Sequence, residues 1–454
     1  MAAPVGLRNT FLAGIIGNMA ALMVGSSMGW MSPTQTKLEA PDAFLPLTGD
    51  QLSWVGSLLA LGTGLGPIPA GILADRIGRK WTLLGLAVPF LLGWLLEGLA
   101  EACLSVELMY AGRLVQGIGN GAVFTVVPMY SGEIAEDSIR GALGSFLQLF
   151  ITAAYVYEYS IGPFVPYWVL VVLSAIIPAI WAVAMFFMPG SPYFLLAKGR
   201  KEQAVVALRW LRGTHDVDKE VLTIQEAVEE SQRSSGSLRN LVATRGTKKA
   251  LILGIGLVVG QQLSGVNAVL FYTANIFEMT GSSLSADVST IIVGVVMFLS
   301  ALATPLLIDR LGRRPILLIS AIGMAAGQII LGTYFFMYEQ DKASVKDIDF
   351  LPVLSLMLYV IAFSFGFGAL PWAVMGELFP SNIKAIATSL TASFCWLLAF
   401  VITKFFSNLA DVIGMSYTFW MFGVFCIMAG LFVFFWLPET KSKSLQEIQD
   451  ILNR

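Results

Sequence analysis

The sequence predicts an all-α membrane protein with twelve transmembrane helices in two pseudo-symmetric six-helix halves. Of the 454 residues, 56% are hydrophobic and only 13% are charged, and the mean hydropathy is +0.75. These values differ strongly from those of soluble domains. Apolar runs of about 20 residues, long enough to cross a bilayer, recur along the whole chain. Polar motifs recur in the same order in both halves, which indicates a duplicated unit.

Three repeated motifs carry this inference of duplication. Residues 75–80 read Asp-Arg-Ile-Gly-Arg-Lys, and residues 309–314 read Asp-Arg-Leu-Gly-Arg-Arg. The pair Glu133 and Arg140 recurs as Glu377 and Lys384 with the same spacing. Residues 188–191, Met-Pro-Gly-Ser, are echoed more weakly by residues 437–440, Leu-Pro-Glu-Thr. Repeated halves of this kind are typical of membrane transporters.

The apolar runs give the order of the predicted spans. In the first half the first two spans are 9–36 and 51–74, and the third begins with the run 81–96. The fourth and fifth are 104–131 and 141–162, and the sixth runs from the Gly/Pro turn at 162–166 to 189. In the second half they are 250–277, 288–308, 315–338, 351–375, 385–409 and 415–437. They are called spans 1 to 12 below.

Polar segments separate and follow the two halves. Residues 190–248 are rich in charge, with apolar residues at helical spacing, and they predict a helical cytoplasmic linker. The segment 339–350 is a charged loop, and the polar tail is predicted to be helical from Ser444. The predicted domains are a first half at 1–189, the linker at 190–248, a second half at 249–437 and a cytoplasmic tail at 438–454.

Basic residues favour one orientation in the membrane. If the turns at 75–80 and 309–314 face the cytoplasm, the opposite loops carry only Lys37, Lys342 and Lys346. Cytoplasmic loops usually carry the excess of Lys and Arg. We therefore expect a multi-pass protein of the plasma membrane with both termini in the cytoplasm.

The composition also argues against other classes of protein. A net charge of −2 provides no general basic surface for nucleic acid. Cys103, Cys395 and Cys426 are far apart and lack a metal or redox spacing. The single histidine, His215, lies in the charged linker, so histidine is not expected to relay protons inside the membrane. Without a nucleotide loop, metal cluster or catalytic triad in the sequence, we expect neither an enzyme nor a cofactor nor a metal.

Charged residues at span ends form the first candidate functional group. Charges within a bilayer are costly and usually functional. Because their sign and order repeat, we expect salt bridges among them to close the cytoplasmic side in one conformation and to break in another. Alternatively, they only fix the topology and satisfy helix ends. The predicted cytoplasmic gate consists of Asp75, Arg76, Arg79, Arg113, Glu133, Arg140, Asp309, Arg310, Arg313, Glu377 and Lys384.

Several motifs resemble those of one known family. Residues 75–80 and 309–314 resemble the Arg-x-Gly-Arg turns of the major facilitator superfamily. Residues 261–267, Gln-Gln-Leu-Ser-Gly-Val-Asn, are similar to the span-7 signature of its sugar porter family, which includes the facilitative glucose transporters. The segment 148–163 most resembles the insect trehalose and glucose transporters. The likeness covers all twelve spans in register.

The resemblance implies the major facilitator fold and a monomeric transporter that moves a hexose or trehalose by alternating access. Neutral amides can donate to and accept from sugar hydroxyls without burying a charge. Aromatic rings cover the apolar faces of the sugar ring. Alternatively, the amides only bond neighbouring helices. The implied substrate-binding residues are Gln148, Gln261, Gln262, Asn267, Trp372 and Trp396.

Some positions depart from the pattern of the family. Met297 in span 8 and Cys395 in span 11 stand where asparagine is usual, and Ser364 replaces a glutamate. Because buried amides discriminate strongly between substrates, these changes predict altered specificity. Gly190 and Tyr193 replace an expected Glu and Arg after span 6, which predicts a weaker gate on that side.

Charges in the first half bear on proton coupling. Span 1 contains no acidic residue, and Ser27 stands where proton symporters of the family carry one. This favours facilitated diffusion. Glu158 in span 5 leaves a proton-coupled symporter open, although its predicted depth also allows it to reach water. A weakly transporting sugar sensor is the second alternative, which Met297 and Cys395 suggest.

Overall fold

The computed structural model describes residues 5–136, 139–233, 238–441, 443 and 445–453. The side chains of residues 5–6, 140–142, 238, 306–310, 381–382 and 445–446 lie outside this description. Within the described residues the regular structure is helical throughout, and the predicted all-α class is confirmed.

The helices are labelled in chain order. They are α1 (Val5–Asn18), α2 (Ala20–Gly29), α3 (Met31–Glu39), α4 (Gly49–Leu65), α5 (Pro67–Ile77), α6 (Arg79–Gly85), α7 (Ala87–Cys103), α8 (Val106–Ile134), α9 (Arg140–Ile161), α10 (Tyr167–Phe186), α11 (Pro192–Ala197), α12 (Lys201–Arg212), α13 (Asp218–Arg233), α14 (Arg245–Leu263), α15 (Val266–Phe271), α16 (Thr273–Met279), α17 (Ala286–Leu311), α18 (Arg313–Gln340), α19 (Leu351–Phe365), α20 (Leu370–Leu378), α21 (Ser381–Ile413), α22 (Met415–Trp436) and α23 (Leu445–Asn453). Short 3-10 helices lie at Gly162–Phe164, Leu238–Val242 and Lys342–Ile348, the last within the predicted loop at 339–350.

The helices account for all twelve predicted spans. Among the described residues, nine helical segments are long and apolar enough to cross a membrane, and the bent pair α4 and α5 makes a tenth. The remaining two spans are α8 and α9, which are 29 and 22 residues long but more polar. Arg113, Gln116 and Asn120 of α8 are buried, so these polar groups face other helices rather than lipid.

Spans 7 and 10 are both broken near their middle. Between α14 and α15, Gly265 has φ +83°, and a Cβ there would lie 2.6 Å from the Phe422 ring. Only glycine fits this left-handed, crowded position without strain. Between α19 and α20 the chain leaves helical geometry from Gly366, where a Cβ would lie 2.2 Å from Cβ of Ser320. Broken spans free backbone groups for other partners in the membrane interior.

Helix packing follows the two halves. In the first half α8 packs against α4 and α7, and in the second half α18 packs against α19 and α22. The halves meet where α21 packs against α4 and α17 packs against α9. Broken span 7 therefore lies between helices from both halves.

The linker and the tail dock on the side that carries residues 75–80 and 309–314, here called the basic side. Asn9 Nδ2 donates to the carbonyl of Trp210 at 2.7 Å, which ties α1 to α12. Gln449 Nε2 of α23 donates to the carbonyl of Leu378 at 2.6 Å. In the linker Leu208 is buried as its spacing predicts, whereas Leu222 is 56% exposed. The boundaries of the four predicted domains stay predictions.

Candidate functional site

The three amides of span 7 form one hydrogen-bonded group at the break after α14. Asn267 Nδ2 donates to Gln262 Oε1 at 2.6 Å, across the Ser264–Gly265 turn. Gln261, Gln262 and Asn267 are all buried, with exposures of 4%, 4% and 6%. The break lets residues five positions apart meet, so the amides converge on one point of the membrane interior.

The break in span 10 supplies the partner of Gln261. Gln261 Nε2 donates to the carbonyl of Phe367 at 2.5 Å and to that of Gly368 at 3.3 Å. These carbonyls lie in the interruption between α19 and α20, where they lack regular helical partners. Trp372 lies on α20, half-buried against the core. A side chain of span 7 is thus bonded to the backbone of span 10.

Cys395 of α21 joins this amide group. Gln262 Nε2 donates to Cys395 Sγ at 3.1 Å, and Cys395 Sγ donates to Gln261 Oε1 at 3.5 Å. Cys395 is fully buried. The substitution that the sequence singled out therefore changes the direct partner of both glutamines, and a thiol bonds more weakly than an amide.

The next residue, Trp396, places an aromatic face between the halves. Its ring stacks on Phe124 of α8 with centroids 5.4 Å apart and an angle of 26° between the planes. Phe124, which the sequence analysis missed, lies in the Gly-rich stretch of span 4 that contains Gly121. Trp396 itself is 8% exposed.

The remaining predicted site residues lie farther from the amides. Gln148 is half-buried on α9, and its side chain makes no hydrogen bond to a described residue. Met297 of α17 is buried in the hydrophobic core. The carbonyl of Ser364 accepts a hydrogen bond from Thr304 Oγ1 at 3.3 Å. The structure therefore unites Gln261, Gln262 and Asn267 and leaves Gln148 apart.

A second polar group, which the sequence analysis missed, fixes the break in span 7. Ser264 Oγ lies 2.9 Å from Tyr359 Oη, and Gln328 Nε2 donates to the carbonyl of Ser264 at 2.8 Å. Gln328 comes from α18 and Tyr359 from α19. These bonds satisfy backbone that the broken helix leaves without partners.

In the first half, the candidate gate residues form a compact cluster on the basic side. Arg79 lies 2.9 Å from Glu133 Oε1 and 3.1 Å from Asp75 Oδ1. Ser191 Oγ donates to Glu133 Oε2. All three repeated motifs of the first half thus meet at one point.

The second half repeats this cluster with the equivalent residues. Arg313 Nη2 lies 2.8 Å from Glu377 Oε1, and Thr440 Oγ1 donates to Glu377 Oε2 at 2.5 Å. Glu439 also accepts from the backbone N–H groups of Arg313 and Arg314, each at 3.1 Å. Burial raises the pKa of Glu439, but the backbone donors outweigh burial and lower it overall.

Several predicted gate residues are not part of these clusters. Arg76 and Lys384 are exposed and form no ion pair with another described side chain. The side chains of Arg140, Asp309 and Arg310 lie outside the described part of the structure. Arg113 lies elsewhere, because it sits near the start of α8 whereas Glu133 sits near its end.

Arg113 belongs to a buried polar group inside the first half. Arg113 Nη1 donates to the carbonyl of Ser27 at 2.5 Å, Nε donates to that of Val55 at 3.0 Å, and the guanidinium lies 5.1 Å from the Trp30 ring centroid. Its placement at the cytoplasmic end of span 4 was therefore wrong. The sequence alone does not give the depth of a charge within a long helix.

Two carboxylates share this interior. Glu158 accepts from Ser174 Oγ at 2.8 Å and from Ser26 Oγ. It is fully buried, so of the two possibilities that the sequence left open, the structure does not show the one in which Glu158 contacts water. Glu97, which the sequence analysis missed, is also fully buried, and both its oxygens lack a partner among the described residues. The available signal was that Glu97 directly follows the apolar run 81–96, on the same helix α7 as the end of that run.

On the side opposite the basic side, direct bonds join the two halves. Lys404 Nζ of α21 lies 2.7 Å from Asp50 Oδ1 and 2.9 Å from Ser53 Oγ of α4. Asn275 Nδ2 donates to Glu39 Oε2 at 3.0 Å, and the N–H of Ala274 donates to Ser32 Oγ at 3.0 Å. Among the described residues, Lys404–Asp50 is the one ion pair between the halves.

Two six-helix halves around a polar centre, with one charge cluster repeated in each half, define a membrane transporter of the major facilitator fold. The model of the family described as "Sugar (and other) transporter" matches residues 1–452, and the chain belongs to this family.

Curated relatives and a solved structure agree with this assignment. The chain is 38% identical over 444 residues to the facilitated trehalose transporter Tret1 of Bombyx mori, covering 98% of this chain and 86% of the relative. It is 37% identical over 450 residues to Tret1 of Apis mellifera ligustica, with 98% and 88% covered. The proton:xylose symporter XylE bound to 6-bromo-6-deoxy-D-glucose has a TM-score of 0.79 at 26% identity, with 98% of this chain and 99% of XylE covered.

Proposed function

We propose that this transporter carries a hexose or trehalose by facilitated diffusion, and that the sugar binds at the span-7 amide group. The observation that carries the proposal is the convergence of Gln261, Gln262 and Asn267 at the break of span 7. Uncharged amides suit sugar hydroxyls because each amide both donates and accepts. The relatives named as trehalose transporters support a sugar as the substrate.

The remaining members of the proposed site have complementary roles. Trp396, stacked on Phe124, offers an aromatic face at the boundary between the halves. Trp372 follows the span-10 break, and Gln148 lies on α9 of the first half with its amide not bonded to a described residue. A sugar between the halves would contact groups from both, as alternating access requires.

We infer that the two repeated clusters belong to a gate on the basic side. Arg79–Glu133–Ser191 and Arg313–Glu377–Thr440 each tie three separate segments of one half together. Such clusters stabilise one arrangement of the helix ends, and breaking them permits another. Asp75 contacts Arg79, and the same role is proposed for Arg76, Arg140, Asp309, Arg310 and Lys384.

The proposed orientation places the basic side, both termini and the linker in the cytoplasm, in the plasma membrane. The distribution of Lys and Arg supports this orientation. We propose a monomer as the transporting unit, because the candidate site and both candidate gate clusters are built within one chain.

Counterflow in proteoliposomes tests the proposal. Vesicles are preloaded with unlabelled glucose or trehalose, and uptake of the labelled sugar is followed with and without a pH gradient. Uptake that requires preloaded sugar and ignores the gradient is the expected result. The site variant Gln262→Leu should lose uptake. Its matched control, Gln232→Leu at the exposed end of α13, should keep uptake. Absence of exchange of both sugars by folded wild-type protein would refute the proposal.

The buried carboxylates favour proton-coupled sugar transport as a second candidate function. Glu97 and Glu158 are fully buried in the same half as Arg113, and an ionised carboxylate is unstable in such surroundings unless it is compensated. The same vesicles decide between the two functions. Accumulation of sugar driven by an inward proton gradient, and lost in Glu158→Gln, would establish coupling.

A further inference from the structure

A basic pocket of about 340 Å³ lies on the basic side of the first half. Its walls come from the turn at 78–81, the segment 189–191 and the linker helices α11 and α12. Three cationic residues line it, Arg79, Lys80 and Arg200, and no acidic residue is among its lining residues. Asp75 and Glu133 pair with Arg79, so Lys80 and Arg200 supply the net positive charge.

The second half has a carboxylate at the turn that is equivalent to the turn beside this pocket. Lys80 lies 5.7 Å from the Phe186 ring centroid, and its counterpart Arg314 lies 5.5 Å from the Phe434 ring centroid. The two halves therefore share the same local architecture. In the second half the carboxylate of Glu439 sits on the turn and accepts from two backbone N–H groups.

The first half lacks that carboxylate. The repeated motif aligns Gly190 with Glu439, just as it aligns Ser191 with Thr440. A Cβ added at Gly190 would meet only Leu195 Cδ1, at 3.7 Å, so the position has room for a larger group. The space lies beside Arg79 and Lys80, and α12 adds Gln203 to the wall. In the first half the Phe194 ring lies against the turn instead of a carboxylate: a Cβ at Gly78 would meet this ring at 2.7 Å, whereas one at Gly312 would meet Glu439 at 3.0 Å. Without a carboxylate at residue 190, the lining of the pocket beside the ring is basic.

We propose that this pocket binds a phosphate monoester between Lys80 and Arg200, in the space beside Gly190. Lys and Arg form strong charge-assisted hydrogen bonds with phosphate oxygens. Exposed aromatic residues border the pocket, since Trp81 is 55% exposed and Phe187 is 72% exposed. Tryptophan at a membrane interface and a basic pocket beside it suit the headgroup of an anionic lipid.

A phosphate bound in the pocket would connect two separate segments of the chain, α6 of the membrane domain and α12 of the linker. The phosphate would bridge the start of α6 at Lys80 to the start of α12 at Arg200. Because α12 is bonded to α1 through Trp210, the ligand would hold the linker against the first half. A ligand that binds only this arrangement stabilises it, and the stabilisation rises with the logarithm of the ligand concentration once that concentration exceeds the Kd.

Binding measurements on the purified full-length protein in neutral detergent test the inference. The probes are short-chain phosphatidic acid, glycerol 3-phosphate as the same headgroup without acyl chains, and short-chain phosphatidylcholine. We expect saturable binding of phosphatidic acid, at least tenfold weaker in Lys80→Ala and Arg200→Ala. Lys201→Ala removes an equal, exposed charge outside the pocket and should change affinity less than twofold.

The variant Gly190→Glu restores the carboxylate of the second half and should abolish binding. If that variant does not fold, the two alanine variants decide the matter alone. Equal binding of glycerol 3-phosphate would support the pocket with a soluble phosphate ester as its ligand, and binding of the lipid alone would assign a headgroup. Absent saturable binding, equal binding of phosphatidylcholine, or equal weakening by Lys201→Ala would each overturn the inference.

Discussion

The side chains at the break of span 7 hold one another in place without a charge. Gln262 links Asn267 to Cys395, and Gln261 links Cys395 to the carbonyls of span 10. A thiol is a weak hydrogen-bonding partner, so if sugar binds at the proposed site, the Gln262–Cys395 bond is the one most easily exchanged for a sugar hydroxyl. The substitution at Cys395 thus provides an ordered amide with a replaceable partner.

Gln262→Leu is expected to weaken sugar binding markedly. The change removes the donor to Cys395 and leaves Asn267 Nδ2 without its acceptor. An unpaired buried group costs about 1–3 kcal/mol, which corresponds to roughly tenfold to a hundredfold in affinity. The half-saturating sugar concentration for exchange measures the effect, with Gln232→Leu as the control. An unchanged value would exclude Gln262 from the site.

Glu439 should give the second half a stability that disappears at low pH. Burial would raise the pKa of Glu439, but the backbone N–H groups that bond the carboxylate lower this pKa below its usual range. A depressed folded pKa means that the contribution is complete above the unfolded value and is lost as pH falls through the folded value. The difference in unfolding temperature between wild type and Glu439→Gln should therefore shrink below about pH 4.5. A difference that stays constant from pH 7 to pH 3 would contradict this.

At the scale of helices, the interruptions are what place the polar groups. In span 7 the α14–α15 turn turns Asn267 back toward Gln262, and in span 10 the α19–α20 gap frees the carbonyls that Gln261 bonds. An uninterrupted helix would use those carbonyls internally. Two breaks in neighbouring spans therefore build one site.

Gly265→Ala should destabilise the protein and reduce exchange. The residue has φ +83°, which costs a non-glycine residue about 1 kcal/mol, and its Cβ would press on Phe422 at 2.6 Å. Gly71→Ala is the matched control, because Gly71 lies within α5 with nothing within 4 Å of its Cβ position. The control should be neutral or slightly stabilising. Equal unfolding temperatures for the two variants would argue against a strained turn.

Sequence repetition predicted which charged residues form ion pairs in each half, because duplicated motifs occupy equivalent places. Arg79 with Glu133 and Arg313 with Glu377 meet as the repeats suggested. Depth was harder to predict, since Arg113 was assigned to the wrong end of span 4. Contacts between distant segments, such as Trp396 with Phe124, have no local signal in the chain. The break in span 7 was not predicted, because the apolar run 250–277 was taken as one continuous span.

On the scale of the whole molecule, the two sides differ in how the halves are joined. On the basic side, the described ion pairs of Arg79 and Arg313 each stay within their own half. On the opposite side, Lys404–Asp50 and the Asn275–Glu39 hydrogen bond cross between the halves. The structure therefore represents a state in which the halves are bonded together opposite the basic side.

Lys404→Met should shift the transporter toward opening on that opposite side. Lys404 is 5% exposed, contacts Asp50 and Ser53, and lies 4.9 Å from the Trp54 ring centroid. Because Asp50 is largely exposed, we assign the pair about 1 kcal/mol, enough to change the population ratio about fivefold. Spin labels at Asp42→Cys and Val412→Cys, with exposed Cys103 replaced by serine, measure the distance between the halves.

Exchanging the two charges distinguishes an effect of the Lys404–Asp50 ion pair from an effect of helix packing. Asp50→Lys and Lys404→Asp should each lengthen the label distance, and the double variant should restore part of the short-distance population. Lys346→Met, which removes an exposed lysine from the 3-10 helix at Lys342–Ile348, should leave the distribution unchanged. If both single variants keep the short distance, packing of α21 against α4 holds this side closed. In that case the neutral contacts of the interface, rather than its charge, would set the balance between the two open states.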